Sequence, residues 1–274
     1  MPLAHYRPSP PLDRFVECLW FWEGCARPHA MERILPDGSM QIVVNLAEDR
    51  IPLYDRETGA LAGSTRGVIL CGPRTGYSVI DTACQLHVFG FHFKPGGLLP
   101  FLPMPLDELR DRECGLDCVW GRAAAGLRDR VGEAAAPAAK FQAAERWLLE
   151  RALRGLDGHP AVVHALARIA SRPNTAVQEI VERTGFSWRR FNDLFRREVG
   201  MPPKAFARVQ RFQRAVRAIG ASSRTVDWAD LALRCGYYDQ GHFIHDFRDF
   251  SGLTPAAYLR ARTEHLNHVP FDVR

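Results

Sequence analysis

The sequence predicts an α+β N-terminal domain, a small antiparallel sheet or barrel plus helices, followed by an all-α domain built on two helix-turn-helix units. Three observations carry this reading. Short β-rich runs broken by turn residues fill the first 93 residues, and helical patterns follow. A pattern of apolar and glycine positions around Gly185 recurs around Gly236. The positive charge collects at one end: residues 159–274 hold 18 Arg and Lys against 11 Asp and Glu, a net of +7, which leaves −2 for residues 1–158. A chain of 274 residues is long enough to bury two cores.

Pro2, Pro8, Pro10 and Pro11 open the chain, and the apolar-aromatic run 15–22 after them fits either a buried strand or a short helix. Pro36-Asp37-Gly38 is a turn signal, and residues 40–46 form a β-rich run behind it. Residues 54–63, with Asp55 and Thr58-Gly59, read as a hairpin end, and further strands are expected at 68–71, 77–81 and 85–93. Lys94-Pro95-Gly96-Gly97 closes that region. Pro100, Pro103 and Pro105 limit the next helices to short pieces, whereas 119–131 and 138–154, rich in Ala, Leu, Arg and Glu, are expected as longer helices. These would pack on the sheet or pair with another copy. Two glycines and a proline interrupt the helical pattern over 155–160, so the domains are placed at 1–155, a sensor or dimerisation domain, and 159–274.

In the second domain, residues 176–183 read as one short helix, Thr184-Gly185-Phe186-Ser187 as a tight turn and 188–199 as a second helix with Phe191, Leu194 and Phe195 on one apolar stripe. Gly185 tolerates the positive φ such a turn needs, and Ser187 is placed to cap the second helix. Arg189, Asn192 and Arg196 fall on the opposite face. Arg and Asn side chains make paired hydrogen bonds to guanine and adenine edges in a major groove. One such match is weak, but the pattern recurs. Ile180, Gly185 and Phe186 reappear as Leu231, Gly236 and Tyr237 at an offset of 51, and Phe191, Phe195, Gly200, Pro203 and Phe206 reappear as Phe243, Phe247, Gly252, Pro255 and Tyr258 at an offset of 52. The second turn is thus one residue longer, with Asp239 in the capping place. The units span about 176–199 and 228–250.

The second unit reads Cys235-Gly236-Tyr237-Tyr238-Asp239-Gln240-Gly241-His242-Phe243 and closes Phe250-Ser251-Gly252-Leu253-Thr254-Pro255-Ala256-Ala257-Tyr258. Two units of this spacing near the end of the sequence resemble the AraC/XylS-type transcription regulators. The resemblance implies a DNA-binding domain of about seven helices, with two recognition helices joined by a long linker helix at 203–219. It makes double-stranded DNA the partner, with RNA polymerase, an unidentified small-molecule effector and a second copy of the chain as further ones. The run 32–39 and the strand 85–93 look like a sensor segment of such regulators. The DNA-binding candidates are Ser187, Trp188, Arg189, Asn192, Asp193 and Arg196 in the first unit and Gln240, His242, His245 and Arg248 in the second. Trp188 has two readings, stacking on sugar and phosphate or covering the seam between helices. Asp193 needs a cytosine N4, Arg189 or Arg197 to offset phosphate repulsion. Arg208, Arg211, Arg214 and Arg217 recur every third residue along the linker, some expected on phosphates and others in solvent.

The first domain offers less. His87 and His92 share a strand at an odd spacing, which puts them on opposite faces and argues against a metal site. Cys114 and Cys118 read either as a thiol pair on one helix face, which Gly115 weakens, or, the better reading, as ordinary buried cysteines. The seven cysteines form no C-x-x-C pair, no charged-then-apolar leader precedes them and no apolar run reaches a membrane span, so a cytoplasmic protein with no membrane association is expected. Phe89, Phe91 and Phe93 stand on one strand face, either as core or as the lining of an apolar ligand pocket. The expected protein is a transcription regulator with no catalytic residue, metal or cofactor. The alternative is a DNA-repair or modifying enzyme with a reactive N-terminal cysteine fused to the same DNA-binding domain.

Overall fold

The computed structural model describes residues 3–25, 29–152, 158–172, 175–222 and 226–272. Its first half contains β1 (Ala4–Tyr6), β2 (Val16–Glu23), β3 (Met31–Ile34), β4 (Met40–Asn45), β5 (Arg50–Tyr54), β6 (Leu61–Arg66), β7 (Val68–Cys71), β8 (Ser78–Asp81), β9 (His87–Phe93) and β10 (Glu113–Gly115). The run at 15–22, open between strand and helix, is a strand. A register shift between Val16 and Cys18 lets Val16 share the core with Leu19 and Phe21. A six-stranded antiparallel sheet in the order β1-β2-β9-β4-β7-β10 forms, with β5 and β6 as a separate hairpin.

One face of the large sheet is apolar and covered by helices. Leu19, Phe21, Ile42, Val44, Leu70, Phe89, Phe91 and Phe93 pack there with Leu127, Phe141, Trp147 and Leu148. The expected helix at 119–131 is two pieces, α1 (Asp117–Trp120) and α2 (Ala123–Glu133), broken at Gly121 with φ 55°. The next helix is α3 (Pro137–Leu149), which begins with a proline in its first turn and ends short of residue 154. Lys140 is buried beneath it and donates to the Val131 carbonyl at 2.9 Å, closing the end of α2. The linker signal at 155–157 lies outside the described residues. Cys114 is on β10 and Cys118 on α1, so no helix face carries both.

Among the described residues the second half holds seven helices: α4 (Pro160–Ser171), α5 (Val177–Glu182), α6 (Trp188–Val199), α7 (Pro203–Gly220), α8 (Trp228–Cys235), α9 (Gln240–Ser251) and α10 (Pro255–Ala261). Helix α7 is central because Phe206, Val209, Phe212, Val216 and Ile219 follow the helical repeat and are all buried. Phe212 meets Phe247 and Phe250 on one side, while Phe206 meets Phe195 on the other.

The two halves interlock. Leu35, from the first half, is part of the second core. The turn after it docks on α7, where Gln210 Nε2 donates to the Asp37 carbonyl and Gln213 Nε2 to the Pro36 carbonyl, both at 2.8 Å. Beyond α10 the chain runs back as β11 (His268–Pro270), which pairs antiparallel with β3 and makes a second sheet in the order β11-β3-β8. Phe271 follows into a small core with Met31 and Val79, and the Arg33 guanidinium lies 4.5 Å from its ring centroid. Phe271→Ala is therefore expected to lower stability by about 3 kcal/mol, as for loss of a buried aromatic, measured by urea unfolding of the full chain. A loss under about 0.5 kcal/mol, the size of an ordinary surface change, would mean that the tail contributes nothing to the fold.

Candidate nucleic-acid interface and interdomain cavity

Each unit presents a capped second helix. The turn glycines Gly185 and Gly236 have φ of 72° and 89°. Ser187 Oγ accepts from the Arg190 amide at 3.4 Å at the start of α6, and Asp239 Oδ1 accepts from the His242 amide at 2.7 Å at the start of α9. The caps expected from sequence are thus in place, and each helix directs its polar side outward. On α6, Trp188, Arg189, Asp193 and Arg197 are exposed and Asn192 is half-buried. Among the described residues Asp193 forms no ion pair, so neither Arg189 nor Arg197 neutralises it. Trp188 divides between its two readings: it is 40% exposed, and the Lys204 ammonium sits 5.2 Å from its ring centroid. Arg190 folds back over Phe186 at 4.6 Å.

Arg196 differs from its neighbours on α6. Its guanidinium pairs at 3.0 Å with Asp107, which lies in the 3-10 turn Leu106–Leu109 of the first half. That turn packs against α6, and a cleft of about 640 Å³ separates Leu99 and Pro105 from Arg189, Asp193 and Arg197. The first half therefore borders the outward face of α6. At the other end of the helix, Glu198 accepts from the His159 amide at 3.0 Å, and burial pushes its carboxyl above the usual range despite that bond.

On α9, Gln240, His242, His245 and Arg248 are exposed. His245 Nδ1 is 3.3 Å from Asp249, and His242 stands edge-on to the Tyr237 ring. Two residues here were missed by sequence reading. Tyr238, directly before the cap, is 87% exposed beside buried Tyr237, a large aromatic at the mouth of the unit. Asp246 lies on the buried stripe of Phe243, Phe247 and Phe250, and is itself buried. A carboxylate on such a stripe requires a cation, and the spacing of these four residues was the signal that could have found the partner. Arg208 of α7 supplies it, 2.6 Å from Asp246 and 3.3 Å from Asp249. His245, Asp246 and Asp249 lie close together, but both carboxylates are taken up by this guanidinium.

The linker arginines have uses that the expected division between phosphate and solvent did not include: Arg208 joins α7 to α9, Arg211 lies over the Tyr237 ring, and the exposed Arg217 reaches the cavity behind the large sheet.

The cavity, about 500 Å³, lies on the other face of the large sheet. Trp20, Val43, Ile69 and His92 line it from that sheet, and Glu32, Ile34 and Ile80 from β3 and β8. Residues Gln213, Val216 and Arg217 of α7 and the stretch 265–268 complete it. Phe89, Phe91 and Phe93 do not line it. All three are fully buried on the helix-covered face, in a row between Phe101 and Phe141, because alternate strand positions face opposite ways and the cavity takes His92 and Val88 instead. His92 pairs with Asp37 at 3.0 Å. Burial is the largest single effect and works against charge on both, but the hydrogen bond and the attraction between the two, with Glu17 near His92 and the Ser39 hydrogen bonds on Asp37, together outweigh it, so the imidazole is held above its usual range and the carboxyl below. Burial raises the thiols of Cys18, Cys71, Cys84 and Cys114, the opposite of what activates a nucleophilic cysteine. Among the described residues no helix is long and apolar enough to cross a membrane.

Two capped helix-turn-helix units packed on the two ends of one buried helix define a helix-turn-helix transcriptional regulator. A helix-turn-helix domain model matches residues 180–261, and a model described as a domain of unknown function (DUF6597) matches residues 4–115. A probable AraC family transcriptional regulator from Rhodopseudomonas palustris is 31% identical over 37% of this chain and 96% of that one, with a TM-score of 0.33. The chain belongs to the AraC family. An uncharacterized HTH-type transcriptional regulator of Haemophilus influenzae is 27% identical over 99 residues, 35% of this chain, so the chain spans 33% of that relative's length. ToxT from Vibrio cholerae is 12% identical over 88% of this chain and 95% of its own, with a TM-score of 0.43.

The Arg208 contact makes a measurable claim about stability. Arg208→Ala leaves Asp246, which is 3% exposed, without its cation, and unfolding in urea should show a loss of about 3 kcal/mol, the low end for breaking a buried pair. An unchanged midpoint, with loss confined to DNA affinity, would return Arg208 to the phosphate-contacting set.

Proposed function

We propose that this AraC-family protein is a sequence-specific DNA-binding regulator that reads two adjacent major grooves of one duplex with α6 and α9, under the control of a small molecule received by its N-terminal half. The observation that carries the reading is the fixed pair of capped helices with exposed polar faces, held on one rigid helix. At about 1.5 Å per residue the 18 residues of α7 extend roughly 27 Å. With the width of the flanking helices, that length supports a spacing of α6 and α9 near one DNA turn, ~34 Å. Arg189 and Asn192 read bases in the first groove. Gln240, His242, His245 and Arg248 serve the second, with Tyr238 at its edge. The protein therefore requires a site of about 20 base pairs per chain, not palindromic within itself.

The experiment is a quantitative binding series with the full chain on its own operator and on random duplex. Arg189→Ala and Asn192→Ala should each cost about 1–3 kcal/mol on the operator and relax base preference at particular positions. With about five phosphates neutralised, log affinity should fall against log salt with a slope near −4.5. Equal losses on operator and random DNA would remove Arg189 from the base-reading set, and a salt-independent affinity would defeat the reading itself.

The Asp107 pair gives a second check. Arg196 cannot serve DNA while Asp107 holds it. Asp107→Ala should raise the affinity of the full chain for its operator by up to about fivefold, the ~1 kcal/mol ceiling for a partly exposed pair. Weaker binding by this variant would show that the turn Leu106–Leu109 positions α6 rather than competing for it.

A further inference from the structure

We infer that the loop 72–77, which joins β7 to β8, sets the spacing at which α6 and α9 read DNA, with Pro73 and Tyr77 as its positioning residues. The inference rests on the proposed reading of two adjacent grooves by one chain and adds what fixes one reader relative to the other.

Both reading helices end in the same way. Gly200 closes α6 at φ 90° and Gly252 closes α9 at φ 71°, and the two glycines occupy one position of the internal repeat. A left-handed glycine ends a helix without laying a side chain over it, so each cap is a patch of bare backbone. Two residues then separate each cap from the next helix, which opens at Pro203 or at Pro255. Each cap is thus the corner about which a reading helix would tilt against the helix that follows it.

The loop from the first half rests on both corners. A Cβ on Gly200 would come within 2.5 Å of the Pro73 ring, and one on Gly252 within 2.8 Å of the Tyr77 ring. Gly76 adds to the second contact, since the Asp249 carbonyl in the last turn of α9 would stand 3.7 Å from a Cβ there. Pro73 is buried, and the half-buried Tyr77 packs against the core of the second half while the Arg33 guanidinium of β3 lies 5.5 Å from its ring centroid. Pro73 and Tyr77 are four residues apart, a reach of at most about 14 Å. A change in the separation or tilt of the two caps must therefore break one contact or the other.

The loop is itself held firmly. The Gly72 amide donates to the Arg112 carbonyl at 2.9 Å, and the Asp111 amide donates to the Pro73 carbonyl at 3.0 Å. Thr75 donates to the Asp111 carboxylate from its amide at 2.6 Å and from its hydroxyl at 2.9 Å, and Arg74 is in close contact with Glu113 of β10. The stretch that leads into β10 thus backs the loop against the large sheet. A stiff piece seated on both corners resists tilt of one reading helix relative to the other. It acts at their C-terminal ends, which leaves Arg189, Asn192, Gln240 and His242, near the N-terminal ends, free for bases.

The test is selection of binding sites from a random duplex library by the full chain, as wild type and as two variants. Pro73→Ala with Tyr77→Ala removes both cap contacts, and Asp111→Gly frees the loop from its backing at a position whose φ of 56° suits glycine. Affinity is then measured for the duplex that the wild type selects and for the same duplex with two base pairs inserted between its halves, a turn of about 70° and a shift of ~7 Å. The wild type is expected to lose at least about tenfold on the longer duplex and both variants less than about threefold, the former being the size of a lost base contact. The variants are also expected to select half-sites at more than one spacing. General loss of stability lowers affinity for both duplexes alike and leaves their ratio unchanged, so the ratio reports spacing alone. If the double variant does not fold, Asp111→Gly decides by the same ratio. A folded variant with the wild-type ratio, tighter binding of the selected duplex by the variants, or a wild type that tolerates the insertion would overturn the inference and leave the two-groove reading standing. A wild type that selects sites of a single groove would overturn both.

Discussion

Gln213 occupies a position on α7 between Val209, Phe212 and Val216, where its neighbours bury fully and its own amide is 4% exposed. A buried amide must be satisfied, and its partners are the Pro36 carbonyl of the first half and the Asn267 side chain near the C-terminal strand. One side chain thus ties together the linker helix, the Pro36-Asp37-Gly38 turn and the returning tail. The contact is directional, since a shift of α7 by about one turn, 5.4 Å, would leave the amide unpaired in an apolar setting. Burial of Leu35 in the core of the second half fixes the same register from the apolar side. Where α6 and α9 stand relative to the sheet follows from how α7 is held.

Much of this was legible because helix and turn signals are local. Ser187, Gly185 and the stripe of Phe191 and Phe195 act within a few residues of one another, and their recurrence at Asp239, Gly236, Phe243 and Phe247 reinforced the reading. The contacts between halves were not legible, since each joins residues far apart in sequence. Pro36-Asp37-Gly38 announced a turn, but nothing nearby says that its carbonyls receive two glutamines of α7. Residues 268–270 are too short and too irregular in composition to read as a strand without β3 beside them. The three phenylalanines of β9 show the limit of periodicity: alternation establishes that they share a face, while the choice between core and cavity depends on which face the helices cover.

Charge was legible in total and misleading in detail. The net +7 of the second half overstates what is free for phosphates. Arg190 covers Phe186, Arg208 neutralises Asp246, Arg211 covers Tyr237 and Arg196 is held by Asp107. Guanidinium groups suit such duties because a planar cation can stack on a ring and bridge a carboxylate at once. An arginine at a recurring helical spacing is therefore as much a candidate for holding two helices together as for touching DNA. Arg189, Arg197 and Arg248 stay exposed on their helices, and under the proposed function they are candidates for DNA contact.

The contacts between the halves are each modest and they are shared. The Gln210 and Gln213 bonds contribute about 0.5–1.5 kcal/mol apiece, the Arg196–Asp107 pair at most about 1 kcal/mol, and β11 adds a short ladder with Phe271 behind it. All of them meet α7 or the elements packed on it, so they cannot be loosened one at a time without moving the same helix. A coupling free energy of about 1–3 kcal/mol is typical between distant sites, and loss of two of these contacts together is of that size. The cavity wall includes Gln213 and residues 265–268, which belong to this set. Under the proposed function, a molecule in the cavity would not need to reach DNA-reading residues, because a change in how Gln213 and the tail are held moves the one helix that both units are built on.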